Sequence, residues 1–294
     1  MIKVWYCDFW GSLNPYDTFF SRTLLKDIDY VISNDNPDLV IHSCFGESYK
    51  RYSGKKVCWL GENVRPDLIN NDLVLGFDFI DHPKYVRMPL YVQHYWNIVN
   101  EWSFGKGSYE ETLLRPKEEP SHSKFCAFIY GNGFVGVNHW GIYQDGVEKR
   151  IRMFQKLNSI KKVDSMGTFM NNTGFQVPSE IPKIRCISDY KFTFAIENSS
   201  FPGYITEKIM DPMVAHSIPI YWGSDRVRED FQGGYINLHD FPNEDDAIDY
   251  ILELDSDPVK YAELYNQLFL DKPISDSKYF NIDIYSKKIA ELFS

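Results

Sequence analysis

The residues best suited to chemistry lie where an apolar run gives way to a polar loop and then to a helix. Phe192 to Ile196 has the composition of a β-strand, and Thr206 is a suitable N-cap for the helix that follows. Glu207 and Lys208 then fall in the first helical turn, where backbone amides and the helix dipole attract anions. Because a lysine there opposes the dipole, a bound phosphate would remove the conflict, and the neighbouring carboxylate would accept hydrogen bonds from a sugar diol. The alternative is an ordinary surface helix whose Glu207 and Lys208 face water.

These residues are positioned by a strand, loop, helix, strand unit, since the helix leads into a second apolar run, Ile218 to Trp222. Units of this kind build parallel sheets, and ligands bind outside the carboxyl ends of the strands. The same alternation of apolar β-rich runs with helical segments occurs upstream, which predicts an α/β fold. The strands predicted in the first part of the chain are Ile2–Phe9, Asp38–Phe45, Lys56–Leu60, Leu73–Phe79 and Tyr85–Tyr91, with a helix over Phe19–Ile28.

A break in the apolar periodicity divides the chain. The stretch 102–123, which contains the charged run Arg115 to Glu119, predicts a linker. We therefore expect a first domain over residues 1–121, a second over 122–274 and a terminal helical segment over 275–294. The further elements predicted in the second part are strands Lys124–Tyr130 and Lys162–Met166, the apolar runs Val227–Phe231 and Tyr235–Leu238 that continue the alternation, and helices Val147–Leu157, Glu244–Leu254 and Pro258–Leu270.

Charge and cysteine content exclude several classes of protein. The 294 residues carry a net charge of −10, which argues against a protein that binds nucleic acid. An anionic ligand would need a local group of cations, and the sequence offers Lys149, Arg150 and Arg152 together and Lys208 separately. The five cysteines stand singly, without the spacing of a disulfide framework or a zinc site, so we expect buried thiols in a reducing compartment.

No metal site and no membrane span are predicted. The pattern D-x-D occurs at Asp27–Asp29 and at Asp255–Asp257, but neither follows an apolar strand, and the histidines lack ligand spacing. The chain opens on a strand and has no apolar run long enough to cross a bilayer. An N-x-S/T triplet at Asn198 lies in the expected ligand loop, where a glycan would block binding. We expect a cytoplasmic protein with at most peripheral membrane association.

The segment ENSSFPGYITEKI, followed by SIPIYWGS, resembles the donor-binding signature of the α1,3/4-fucosyltransferases. The match is long and irregular, and is therefore much more specific than a short glycine motif. The resemblance implies an α/β structure of the GT-B type, with two Rossmann-like domains facing each other across a cleft. It also implies an inverting enzyme that uses GDP-fucose without a metal or other cofactor, and a terminal helix over 275–294 that packs back on the first domain.

The motif CWLGEN resembles the turn that carries the catalytic base in this family, which places the base at Glu62. By this resemblance Glu62 takes the proton from the acceptor hydroxyl. Without the resemblance, Glu62 reads as an ordinary loop carboxylate that caps the next turn. Glu47 follows the predicted strand that ends at Phe45, a comparable position, and is the reserve candidate.

The resemblance implies that five residues bind the donor: an arginine that contacts the diphosphate and four residues of the signature. The arginine corresponds to Arg150, although Arg152 stays an alternative, because the loop YGNGFVGVNHWGIYQDG at 130–146 is longer and richer in glycine than is usual in the family. The four signature residues are Asn198, Tyr204, Glu207 and Lys208.

The activity that the resemblance implies is transfer of L-fucose from GDP-fucose to a GlcNAc-containing glycan of the N-acetyllactosamine kind. The acceptor would be an oligosaccharide or a lipopolysaccharide-type glycan, and an α1,3 bond is expected, with α1,4 left open. Two alternatives remain: an enzyme of the same fold that uses another GDP-sugar, and a non-catalytic module that binds a sugar nucleotide or glycan. Glu62 argues against the second, because a binding module has no need of a carboxylate there.

Overall fold

The computed structural model describes residues 1–11, 13–101, 121–178, 183–270, 272 and 277–294. Unit 1 comprises the described residues of Met1–Trp102 and Ile274–Ser294, and unit 2 comprises those of Ser103–Pro273. Each unit contains one parallel sheet with helices, which confirms the α/β prediction. Most of the predicted linker lies outside the described residues, so the expected boundary at residue 121 stays a prediction. Within the described part of the chain, no helix has both the length and the apolarity needed to cross a bilayer.

Six parallel strands form the sheet of unit 1, namely β1 (Ile2–Cys7), β2 (Tyr30–Ile32), β3 (Leu39–His42), β4 (Lys55–Trp59), β5 (Leu73–Gly76) and β6 (Tyr85–Arg87). They lie in the order β2-β1-β3-β4-β5-β6. Because β2 lies on one side of β1 and β3 on the other, the strand order reverses between β1 and β3. The loops that follow these two strands therefore open at the point where α/β sheets usually bind ligands.

Unit 1 departs from the predicted elements in its helices. The helix expected over Phe19–Ile28 is one short turn, Phe20–Leu24. The strand expected to reach Tyr91 ends at Arg87, and helix α1 (Leu90–Glu101) follows it. Pro89 explains the change, since proline has no amide hydrogen for a sheet and favours the first turn of a helix. The edge strand β2 was not predicted, because three residues carry too little of the alternating pattern.

Five parallel strands form the sheet of unit 2, namely β7 (Lys124–Phe128), β8 (Asp164–Ser165), β9 (Tyr190–Ile196), β10 (Ile218–Trp222) and β11 (Ile236–Asn237). Its helices are α2 (Asp145–Ile160), α3 (Lys183–Ile187), α4 (Glu207–Val214), α5 (Glu244–Ser256) and α6 (Pro258–Tyr265). The strands lie in the order β11-β10-β9-β7-β8. The order reverses between β7 and β9, so the β7–α2 loop and the β9–α4 loop begin at this ligand-binding position.

Most of the elements predicted for the second part are present, with β7, β8 and α6 shorter than predicted and α2, α5 and β9 longer. The run Val227–Phe231 differs, because Val227–Glu229 forms a helical turn and not a strand. Aromatic rings pack together at the place where the strand order of the unit 2 sheet reverses, the switch point of that sheet. The ring of Phe128 lies 4.7 Å from that of Phe154 and 5.5 Å from that of Phe194. These rings connect helix α2 to strands β7 and β9.

The described end of the chain belongs to unit 1. It contains helix α7 (Asp283–Ala290) and a final turn, Glu291–Phe293. The indole Nε1 of Trp96 on α1 donates a hydrogen bond to the carbonyl of Phe280 at 3.2 Å, and the ring of Tyr91 lies 5.5 Å from that of Phe280. The terminal segment therefore packs on helix α1.

Candidate active site

A buried carboxylate organises the β9–α4 loop of unit 2. Glu197 is the first residue after β9 and has no exposed surface. One of its oxygens accepts the amide hydrogen of Thr206 at 2.8 Å, and the Thr206 hydroxyl lies 2.8 Å from the other. A side chain at Gly223 would place its Cβ 2.5 Å from the Glu197 Cγ, so glycine is needed there. Glu197 is not among the site residues predicted from the sequence, although a carboxylate directly after an apolar strand is a usable signal.

Lys208 is held by two carboxylates. Its Nζ lies 3.2 Å from Glu197 Oε2, 3.2 Å from Glu207 Oε1 and 3.1 Å from Thr206 Oγ1. Burial lowers the pKa of Lys208, but attraction to Glu197 and Glu207 outweighs this effect and raises the pKa above its ordinary value. Burial raises the pKa of the Glu197 carboxyl, and the ammonium of Lys208 opposes that rise. A lysine in the first turn of α4 opposes the helix dipole and needs negative charge nearby. The carboxylates of Glu197 and Glu207 supply that charge.

Arg150 places a buried cation beside the end of β9. It lies on α2 with 2% of its surface exposed, and its Nε donates a hydrogen bond to the carbonyl of Ile196 at 2.9 Å. The guanidinium carbon is 4.1 Å from the centre of the Tyr130 ring, a favourable cation–π distance. Among the described residues, its Nη2 is buried without a hydrogen-bond partner. A buried cation in this state is costly to the folded protein, so an anionic ligand would stabilise it strongly.

The structure distinguishes Arg150 from Arg152. Arg152 is exposed on the same helix, and its guanidinium lies 3.0 Å from Glu244 and 3.7 Å from Glu148. Its neighbour Lys149 lies 3.8 Å from Glu244 and 5.4 Å from the ring of Trp222. The basic cluster is thus largely neutralised by acidic residues of α2 and α5, and only Arg150 turns its cation to the end of β9.

The start of α2 is fixed directly against the β9–α4 loop. The Asp145 carboxylate accepts the amide hydrogens of Gly146 at 3.0 Å and Ser200 at 3.1 Å, and the Gly146 amide donates to the carbonyl of Asn198 at 3.1 Å. A Cβ on Gly146 would lie 1.9 Å from the carbonyl oxygen of Glu197. Helix α2 can approach this closely only because residue 146 is glycine, and the approach sets the position of Arg150.

The other predicted donor residues lie on the same loop. Asn198 is half-buried, Tyr204 is buried with its amide donating to the carbonyl of Phe201 at 3.0 Å, and Glu207 is partly exposed beside Lys208. The structure therefore brings all five predicted donor residues, Arg150 included, to the switch point of the unit 2 sheet. Their individual roles stay predictions.

Glu62 lines a cavity of about 480 Å³ in unit 1. The cavity lies beside the switch point of that sheet, since residues that follow β1, β3 and β4 all contribute to it. Its aromatic wall contains Phe9, Trp10, Phe45 and Trp59, and its polar residues besides Glu62 include Asp17, Gln93 and Asn97. Aromatic faces next to polar groups suit pyranose rings, which have apolar faces and hydroxyl edges.

The loops around this cavity are held by Asp8. Asp8 has φ of 59° and accepts the amide hydrogens of Ser48 at 3.2 Å and Tyr49 at 2.9 Å. Burial raises its pKa, but the hydrogen bonds from Ser48 and Tyr49 outweigh burial, so the pKa lies below its ordinary value. Glu47, the reserve candidate for the base, is 78% exposed, pairs with Lys50 at 2.5 Å and does not line the cavity. The geometry favours Glu62 over Glu47.

Asp29, Asp255 and Asp257 belong to the acidic pairs considered for metal binding, and each has another partner. Asp29 lies 3.7 Å from the amino terminus, Asp255 lies 3.1 Å from Lys191, and the Asp257 side chain caps helix α6. Across the residues that the structure describes, no group of three or more His, Cys, Asp or Glu side chains could hold a metal ion.

Two family models match the chain. Residues 135–268 match the C-terminal part of glycosyltransferase family 10, the fucosyltransferases, and residues 4–94 match the N-terminal domain of the α-(1,3)-fucosyltransferase FucT. The chain belongs to glycosyltransferase family 10. The resemblance found in the sequence is therefore confirmed. The two matches contain the residues predicted to bind the donor and the predicted base, respectively.

Other members of family 10 are similar over different lengths. The α-(1,3)-fucosyltransferase FucT of Helicobacter pylori is 32% identical over 99% of this chain and 65% of its own length. A putative fucosyltransferase of Acanthamoeba polyphaga mimivirus is 29% identical over 78% of this chain and 37% of its own length. The chain thus spans less than two thirds of each of these relatives.

Solved structures of the family share the fold. A crystal structure of an α1,3-fucosyltransferase has a TM-score of 0.78 and 25% identity, covering 99% of this chain and 89% of that one. A structure of an α1,3-fucosyltransferase with GDP-fucose has a TM-score of 0.73 and covers all of this chain. These matches, together with the two parallel sheets, confirm the predicted GT-B fold class.

Proposed function

We propose that the protein is an inverting α1,3-fucosyltransferase that moves L-fucose from GDP-fucose to a hydroxyl of a GlcNAc-containing glycan. The observation that carries this proposal is Arg150, a buried guanidinium with an unpartnered Nη2 among the described residues, next to Lys208 at the switch point of the unit 2 sheet. A diphosphate is the ligand whose charge this arrangement fits best. A related α1,3-fucosyltransferase has been solved with GDP-fucose, which supports the choice of donor.

The donor half of the reaction uses the cations of unit 2. As the bond between the fucose anomeric carbon and the β-phosphate oxygen breaks, negative charge develops on the departing GDP. Arg150 and Lys208 stabilise that charge, and the burial of Arg150 makes its contribution stronger than it would be in water. Asn198 and Tyr204 add hydrogen bonds, and the Glu207 carboxylate accepts hydrogen bonds from the ribose hydroxyls.

The acceptor half uses Glu62. Its carboxylate takes the proton of the acceptor hydroxyl as that oxygen attacks the anomeric carbon, so one displacement inverts the configuration. The aromatic cavity that Glu62 lines would hold the acceptor glycan, with sugar faces on the rings of Trp10 and Phe45, which lie 5.5 Å apart. A cavity of about 480 Å³ is large enough for more than one pyranose ring.

We propose that no metal ion takes part, because the two cations occupy the position where a metal would neutralise a diphosphate. Treatment with EDTA is expected to leave the transfer rate unchanged. Strong inhibition that added Mn²⁺ or Mg²⁺ restores would contradict this expectation.

The test of the function is a transfer assay with N-acetyllactosamine as acceptor. GDP-fucose is offered in parallel with GDP-mannose and GDP-glucose, and products are separated and their linkage determined by NMR. The proposal expects an α1,3-fucosylated product from GDP-fucose alone. Transfer only from another GDP-sugar would show that GDP-fucose is not the donor. GDP binding without transfer to any acceptor would indicate a binding module.

A cytoplasmic location is also proposed. None of the five cysteines forms a disulfide, which suits a reducing compartment. The expectation that all of them are buried was wrong, since only Cys58 and Cys126 are buried and the other three are half-buried. Fractionation of cells that produce the protein, with antibodies against it, would test the location.

A further inference from the structure

The reaction as proposed gives no role to Glu197, a buried carboxylate in contact with the predicted donor residues. Glu197 is fully buried and makes three close contacts, to the Thr206 amide, the Thr206 hydroxyl and the Lys208 ammonium. A buried carboxylate is costly unless such partners compensate it, so its presence calls for a physical reason. A neutral side chain would complete the same turn with fewer constraints.

The geometry around Lys208 gives that reason. Its Nζ is 3.2 Å from Glu197 on the buried side and 3.2 Å from Glu207 on the more exposed side. The ammonium is therefore shared between two carboxylates and cannot move fully onto Glu207. Glu207 is the residue proposed to bind the ribose, and a lysine drawn onto it would occupy its oxygens and leave the diphosphate.

We propose that Glu197 is a positioning residue, which anchors Lys208 at the diphosphate and keeps Glu207 available to the ribose. The inference rests on the proposed function of Lys208 and Glu207 in binding GDP. It predicts whether GDP affinity rises or falls when Glu197 is removed. If Glu197 only reduced the positive charge of the site, its removal would strengthen the binding of GDP, whereas removal of an anchor weakens it.

Helix α4 offers a matched control in a second ion pair with a buried carboxylate. Asp211 is 4% exposed and pairs with Lys183, one turn along α4 from Glu207. Loss of this pair should destabilise the fold much as loss of the first does, because both leave a cation without its carboxylate. The ion pairs of the described residues join Asp211 to Lys183 and Glu197 to Lys208, so the two variants separate a structural effect from a positioning effect.

The experiment compares Glu197→Gln with Asp211→Asn in the full chain, using calorimetry with GDP and thermal unfolding. Glu197→Gln keeps the size of the side chain and removes its charge, and we expect GDP affinity to fall about 10- to 100-fold, the usual effect of losing a group that orients a binding residue. Asp211→Asn should change GDP affinity by less than about twofold. If Glu197→Gln does not fold, Glu197→Asp replaces it, since the shorter side chain keeps the charge but cannot reach Lys208, and the same loss is expected.

A double-mutant cycle with Lys208→Gln shows whether Glu197 acts through the lysine. In the Lys208→Gln background, Glu197→Gln should reduce GDP affinity by less than about threefold, because the group to be positioned is gone. Tighter GDP binding by Glu197→Gln, equal losses in Glu197→Gln and Asp211→Asn, or full additivity in the cycle would each overturn the inference.

The result is separable from the proposed activity because GDP binding needs no transfer. A wild-type protein that shows the expected cycle but never transfers fucose would refute the activity and leave the positioning role standing. A wild-type protein that transfers fucose while Glu197→Gln binds GDP normally would refute the positioning role alone.

Discussion

Replacing Arg150 by methionine tests the proposal that its charge is reserved for a ligand. Methionine is of similar length and is apolar, so it fills the buried site next to Tyr130 without a charge. In the ligand-free protein the change removes a hydrogen bond to the Ile196 carbonyl and a contact with the Tyr130 ring. It also removes a buried cation that has no carboxylate partner among the described residues.

The effects on stability in the absence of ligand oppose each other. A hydrogen bond to a charged group contributes about 1.5 to 3 kcal/mol, and a desolvated cation–π contact contributes about 2 kcal/mol. The cost of keeping an ion buried is several kcal/mol, and this cost disappears with the charge. The net change in unfolding free energy is therefore expected to be at most about 2 kcal/mol, a shift in Tm of less than about 8 °C for a unit of this size.

The effect on GDP binding is expected to be far larger. Truncating one partner of a buried, hydrogen-bonded charge pair costs about 2 to 5 kcal/mol. That range corresponds to a rise in the Kd for GDP of roughly 30-fold to a few thousandfold. The variant should thus be close to wild type in stability and strongly impaired in binding.

Thermal unfolding with and without GDP measures both quantities together. GDP at about ten times its wild-type Kd should raise the Tm of the wild type clearly and that of Arg150→Met hardly at all. Arg152→Met is the matched control on the same helix, because Arg152 is exposed and paired with Glu244, and its response to GDP should equal that of the wild type. Normal GDP binding by Arg150→Met, or loss of binding only in Arg152→Met, would show that the Arg150 charge does not hold the ligand.

Three further predictions concern the cavity and the loops that build both sites. Trp10→Ala should raise the KM for the glycan acceptor several-fold without changing GDP affinity or Tm, since Trp10 is 79% exposed and contributes to the aromatic wall; equal loss of acceptor and GDP binding would contradict this. Gly146→Ala should destabilise unit 2 by about 1 to 3 kcal/mol, because its Cβ would meet a backbone oxygen at 1.9 Å, whereas Gly131→Ala, with its nearest neighbour at 3.5 Å, should be neutral in the same thermal assay. Asp8→Asn should cost about 1 to 3 kcal/mol in urea unfolding at pH 7. Because the folded-state pKa of Asp8 is depressed, that stabilisation is present above the ordinary value of 3.8 and is lost as the pH falls below it; a difference between variant and wild type that persists at low pH would show that the charge is not its source.

Much of the donor half was predictable from sequence. The apolar run before Glu197 and the capping Thr206 define a strand and a helix, and the strict rules for parallel sheets place the loop between them at the ligand-binding edge. Lys208 and Glu207 were both predicted as site residues, and the predicted start of the helix at Glu207 is the observed one. Local patterns suffice here because the site is built within one continuous segment.

The parts that escaped prediction depend on contacts between distant residues. Glu197 reads as a loop residue until Thr206, nine positions later, turns its amide and hydroxyl toward it. The choice of Arg150 over Arg152 depends on which side of α2 faces β9, and the glycine-rich loop before that helix obscures the alignment. The aromatic cavity combines residues that follow three different strands, so no single stretch of sequence contains it.

Helix α1 was missed for a local reason. The run from Tyr85 to Tyr91 alternates apolar and other residues as a strand does, yet Pro89 interrupts it and starts a helix. The proline signal was present in the sequence and should outweigh the apolar pattern at such a position.

Transfer of fucose by Glu62→Gln, with GDP binding followed on the same protein, tests whether Glu62 is the catalytic base. If Glu62 is the base, transfer should fall by about 10²- to 10⁴-fold, and the Kd for GDP should stay within about twofold of the wild-type value. Glu47→Gln is the control, because Glu47 is exposed and paired with Lys50, and it should transfer at the wild-type rate. Wild-type transfer by Glu62→Gln would exclude Glu62 as the base, and loss of transfer in Glu47→Gln alone would assign the base to Glu47.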